Sequence, residues 1–105
     1  MAYTLQILHA SDLEGGVDAI GRAPNFAAIV DYLEDTYANT IVLSAGDNFI
    51  PGPFFNAAAD SSIAATLNAV YTQLYGQTFS GLSAGSGRLD IAIMNTIGFD
   101  ASALG

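Results

Sequence analysis

Thr40-Ile41-Val42-Leu43-Ser44-Ala45-Gly46-Asp47 is the stretch on which the fold turns. The run over 40–45 is apolar or small, too short for a helix, and stopped by Gly-Asp, which predicts a buried strand. Just before it, Phe26, Ile29, Val30, Leu33 and Tyr37 recur at helical spacing, with Asp31, Glu34 and Asp35 mainly on the other side. That pattern predicts a helix over 24–37, with Pro24 in its first turn. Before that helix, residues 4–11 are apolar with β-branched content and end at Asp12, the pattern of another strand. Gly15, Gly16 and Gly21 make 12–23 a loop in this reading.

Downstream, Gly46, Pro51, Gly52 and Pro53 predict a loop over 46–56. Ile63, Leu67, Val70 and Leu74 form one stripe of an Ala-rich helix over 58–75. Residues 76–87 are rich in Gly and Ser and read as a connector. Leu89, Ile93 and Ile97 align on a helix over 88–97, and Gly98 stands where a helix-ending glycine belongs. Residues 99–104 read as a third strand. The order β-α-β-α-α-β places the chain in the α/β class, with a mainly parallel sheet in a layered sandwich. No internal repeat is visible.

The chain has 105 residues, which suits one domain. An apolar fraction of 51% against 11% charged residues argues against intrinsic disorder. Ten acids face two arginines and no lysine, a net charge of −8. That balance argues against a nucleic-acid backbone or an anionic membrane surface as partner. The absence of cysteine excludes disulfides, thiolate metal sites and thiol catalysis. Met1-Ala2-Tyr3-Thr4 lacks the basic start and apolar core of a signal peptide.

In a parallel sheet, functional groups gather beyond the carboxyl ends of the strands. Asp12 and Glu14 follow the first strand and point the same way in extended backbone. Asp47 follows the second, one β-α-β unit later. Three converging carboxylates repel one another unless one takes up a proton or a cation neutralises them. A divalent metal is the simplest remedy; oxygen ligands suit Mg, Mn or Ca, and added nitrogen ligands admit Zn or Fe. Spacing alone also allows these acids to be ordinary cap or turn residues.

At these residues a family pattern emerges. Leu5-Gln6-Ile7-Leu8-His9-Ala10-Ser11-Asp12-Leu13-Glu14-Gly15 resembles the first motif of the calcineurin-like metallophosphoesterases, closest to the 5′-nucleotidase branch. Gly46-Asp47-Asn48-Phe49 is similar to the second motif. Residues 90–105 resemble the helix and strand leading into the third, Gly-Asn-His-Glu, with Gly105 as its opening glycine. The resemblance spans nearly the whole chain, with 57–87 the least distinctive. Two departures stand out: Glu14 occupies the usual His position of the first motif, and the Asn and His of the third are missing.

The resemblance implies a metal-dependent hydrolase of phosphate esters acting on a phosphorylated small molecule such as a nucleotide. It implies two metal ions in the whole enzyme, with Asp12 a ligand of one, Glu14 assisting, and Asp47 bridging both. A water or hydroxide then attacks phosphorus in line. It further implies that residues 1–105 are the amino-terminal part of a longer enzyme, exported to the periplasm or secreted, and inactive alone. Asn48 is read either as orienting substrate or metal water or as a turn residue. Cutting a sheet exposes an edge and an apolar face, so self-association is expected.

Other readings stay open. A haloacid-dehalogenase-like phosphatase would use Asp12 as nucleophile and Glu14 as acid/base, but it expects a lysine this chain lacks. A non-catalytic cation-binding or assembly module is the third. His9 is read as a structural, hydrogen-bonded residue; Arg22 and Arg88 as surface residues; Phe49, Phe54 and Phe55 as packing residues. Asp18, Asp31, Glu34, Asp35, Asp60, Asp90 and Asp100 are read as caps and solvated faces.

Overall fold

The computed structural model describes residues 2–13 and 17–104. The elements run β1 (Gln6–Ala10), α1 (Val17–Glu34), β2 (Thr40–Ser44), α2 (Pro53–Ala57), α3 (Ile63–Tyr75), α4 (Arg88–Ile97) and β3 (Ala101–Ser102). The strands form one open, all-parallel sheet in the order β1-β2-β3. The α/β class and the parallel sheet therefore stand.

The register pairs Leu8 with Val42 and Ile7 with Ile41, so successive residues alternate faces. Leu8 and Val42 face the helices. There Val42, Val30 of α1 and Ile97 of α4 form the buried centre, packed by Phe26, Ala27, Ile93 and Phe99. Burying side chains of this size contributes about 1.5–3 kcal/mol each. On the opposite face Leu5 and Ile7 keep 51% and 59% of their surface. This face is largely open, although parallel sheets are ordinarily covered on both sides.

Several boundaries differ from the sequence reading. The first helix starts at Val17, not 24, so Pro24 lies inside it and not in its first turn. Pro24 has no N–H to give the carbonyl one turn back. The helix persists because Ile20, Ala23, Phe26, Ala27, Val30 and Leu33 continue one covered stripe through Gly21 and Pro24. Asp18, in its first turn, complements the positive end of the helix dipole.

The predicted loop over 46–56 contains the short helix α2, with Pro at its start. The predicted helix over 58–75 begins only at Ile63. Before it, the Asp60 carboxylate accepts hydrogen bonds from the Ser62 backbone N–H (2.9 Å) and hydroxyl (2.6 Å). Such local bonds compete with helix formation, and they hold the Asp60 carboxyl below its ordinary range. The third strand has two residues, shorter than 99–104. The helix over 88–97 matches its prediction, and Gly98 ends it in the left-handed conformation (φ 101°).

The connector over 76–87 is irregular but pinned. Asn68 accepts from the Leu82 N–H (3.0 Å) and donates to the Leu82 carbonyl (3.0 Å), replacing a strand partner. Arg88, read as a surface residue, donates to the Ser83 carbonyl (2.6 Å) and hydroxyl (3.0 Å).

Candidate functional site

Parallel pairing brings the carboxyl ends of β1 and β2 side by side, with Ala10 opposite Ser44. Two residues beyond each, the chains remain joined: the Asp12 N–H donates to the Gly46 carbonyl (3.1 Å). Asp12 and Asp47 thus stand on neighbouring strand ends, both exposed. Both adopt the left-handed backbone conformation, with φ of 55° and 52°, and they are the only non-glycine residues described that do so. Asp is among the residues that tolerate this region, but it costs energy relative to ordinary backbone, and such outliers cluster at functional sites. Ser11 donates its hydroxyl to Asp12 Oδ2 (2.8 Å) and fixes one oxygen of that group.

Glu14, the third expected ligand, lies outside the described residues, as does Gly105. Among the described residues no three His, Asp or Glu side chains come together as a metal cluster. Asp12 and Asp47 are two oxygen donors on adjacent loops, a ligand type suited to a divalent cation but too few to complete its coordination.

Asn48 is buried and fully engaged in the scaffold. Its Oδ1 accepts from the Ser44 hydroxyl (2.6 Å) and its amide donates to the Ser102 hydroxyl (2.7 Å). Ser44 Oγ also accepts from the Gly46 N–H (3.2 Å). One amide thus ties the loop of Asp47 to the ends of β2 and β3. Sequence reasoning chose the position but not this role, and it passed over Ser44 and Ser102.

Asp100 is exposed, in line with its reading as a solvated residue, and it also joins the sheet. Its Oδ2 accepts from the Val42 N–H and its own N–H donates to the Val42 carbonyl, both at 2.8 Å, which extends the β2–β3 ladder. His9 is exposed on the open sheet face, and among the described residues its ring has no hydrogen-bond partner, contrary to the structural role expected. Phe49 stacks on Phe55 with ring centroids 5.5 Å apart.

Asp90 is the largest departure. It sits in the first turn of α4, and its Oδ2 is inaccessible and without a hydrogen-bond partner. Burial pushes its carboxyl above the ordinary 3.8, opposed by a bond from its own backbone N–H. It helps line a cavity of about 250 Å³ that reaches from α1 and α4 to Asp12 and Asn48. The signal was present in the sequence only as an acid at the start of an apolar helix stripe.

No family model, curated protein or solved structure matches the chain.

Proposed function

We propose that this chain carries part of the metal centre of a phosphoesterase that hydrolyses phosphate monoesters, nucleotides among them, on a layered metallophosphoesterase-type sandwich. The observation that carries the reading is the paired left-handed geometry of Asp12 and Asp47 on adjacent parallel strand ends, joined through the Asp12 N–H and the Gly46 carbonyl. Asp12 and Asp47 would hold the metal, and Glu14 is the proposed third ligand. A divalent ion there supplies Lewis-acid polarisation of the phosphoryl group and activates water for in-line attack.

The chain's own residues supply the frame. The Ser11 hydroxyl restrains the Asp12 carboxylate, and the Ser44–Asn48–Ser102 chain fixes the loop that carries Asp47. Two carboxylates are too few for a binuclear centre, so the reading requires further ligands.

Calorimetric titration with Mn²⁺ tests this. Binding should weaken by about tenfold or more in Asp47→Asn and in Asp12→Asn, the scale of a lost charged ligand. Absence of binding, or binding indifferent to both substitutions, overturns the reading. Metal binding without phosphoesterase activity in any longer form of the protein would favour a non-catalytic cation-binding module instead.

A further inference from the structure

We propose that the groove between α3 and α4 binds a flat aromatic acid, its rings against Tyr71, Tyr75 and Phe79 and its acidic group at Arg88. A cavity of about 400 Å³ lies there. Leu67, Tyr71 and Tyr75 of α3 follow one another at helical spacing, and Arg88, Ile91 and Asn95 share one face of α4. An apolar cavity of about 150 Å³ holds benzene, so about 400 Å³ has room for two fused rings. Binding sites of this kind join an apolar lining to a few polar groups that fix orientation.

The wall offers aromatic faces. Tyr71 and Tyr75 stack with ring centroids 5.8 Å apart and planes 4° from parallel, and Phe79 tilts against them at 5.9 Å and 6.0 Å. Asn95 donates to the Tyr71 hydroxyl (2.8 Å) and restrains that ring. Tyr75, Ile91 and Phe49 border the cavity and are exposed, a patch of carbon surface that a flat ligand covers. Asn95 Oδ1 accepts from no described donor and, unlike Asp90 Oδ2, is not shut away from solvent, so it adds an acceptor for a polar ring substituent.

The charge comes from Arg88, which is exposed and lines the cavity. Its Nη1 donates to the Ser83 carbonyl and hydroxyl, and Gly85 leaves room for the side chain: a Cβ there would stand 2.8 Å from Arg88 Nε. Both Ser83 groups are neutral and do not offset the guanidinium charge, and among the described residues Nη2 has no hydrogen-bond partner. The chain has ten acids and two arginines, yet no described acid lines this cavity. An acidic group therefore gains a charge-assisted bond without meeting a neighbouring carboxylate, whereas a cationic ligand meets Arg88. Neither Asp12 nor Asp47 borders the cavity, so its occupancy is independent of the metal reading.

The test uses 2-naphthoate and its neutral counterpart 2-naphthamide, in low salt without metal. The chain has no tryptophan, so the probes' own fluorescence anisotropy reads their affinities, and two-dimensional amide NMR of the isotope-labelled chain locates them. Signals of Tyr71, Tyr75, Phe79 and Asn95 should shift. Naphthoate should bind about fivefold tighter than naphthamide, the scale of one exposed ion pair, and the ratio should shrink in high salt. In Arg88→Gln the ratio should fall to about one or below, because the net charge of −8 then only repels the anion. Tyr75→Ala, at an exposed position, should weaken both probes and keep the ratio. The wild-type ratio is decisive even where Arg88→Gln fails to fold. No binding up to about 1 mM, equal or reversed affinities in the wild type, a ratio that persists in Arg88→Gln, affinities unchanged in Tyr75→Ala, or shifts confined to other residues overturn the proposal. Asp47→Asn should leave both affinities untouched, so failure of the metal reading and failure of this one are separately visible.

Discussion

Replacing Asn48 by alanine should loosen the sheet end that carries Asp47. Asn48 accepts from Ser44 at 2.6 Å and donates to Ser102 at 2.7 Å while only 8% exposed. Each such bond contributes a net of about 1 kcal/mol. Ser102 keeps its own bond to the Ala103 carbonyl, but Ser44, 5% exposed, keeps only the bond it accepts from the Gly46 N–H and loses the acceptor of its own O–H. With the penalty of a buried donor left unpaired, the expected cost of Asn48→Ala is about 3 kcal/mol, a large share of the 5–15 kcal/mol typical of a domain. Ser102→Ala should cost about 1 kcal/mol, and the double variant about 1 kcal/mol less than the sum. Urea denaturation of the four proteins, with the slope checked for constancy, reads all of these. A loss below about 0.5 kcal/mol in Asn48→Ala, or additive single losses, would refute the clamp.

Gly21 sits exposed inside α1 with open space where a Cβ would go, so Gly21→Ala should stabilise the protein by about 0.5–1 kcal/mol, read as a higher thermal midpoint. The raised Asp90 carboxyl gives a pH test: the folded state holds that proton more tightly than the unfolded, so ionisation costs stability. The penalty is absent below the ordinary 3.8 and grows as pH rises through the raised folded value. Denaturation midpoints from about pH 4 to about pH 7 should therefore decline less in Asp90→Asn than in the wild type; equal declines would count against a desolvated Asp90. Finally, we expect the open sheet face to pair two copies of the chain. Light scattering should rise with concentration, increase with salt as repulsion between chains of net charge −8 is screened, and fall in Ile7→Lys; a salt-independent monomer would contradict this.

The sequence by itself determined what depends on local pattern and backbone chemistry. The short apolar run before Gly46-Asp47 could only be a buried strand. The stripe over 88–97 could only be a helix closed by Gly98. The β-α-β spacing put Asp12 and Asp47 at the same sheet edge. These features need only the periods of strand and helix and the freedom of glycine to take positive φ. Tertiary structure decided the rest. Gly21 read as a loop residue and Pro24 as a first-turn residue, yet α1 runs through both because its apolar stripe is covered by residues far along the chain. Asn48, read either as orienting substrate or metal water or as a turn residue, has its Ser102 partner only because β3, 54 positions away, lies beside it. Asp90 read as a solvated cap, yet in the folded chain one of its oxygens is shut away from solvent. Desolvation and hydrogen-bond pairing belong to neighbours in space, and no local spacing encodes which distant side chain arrives.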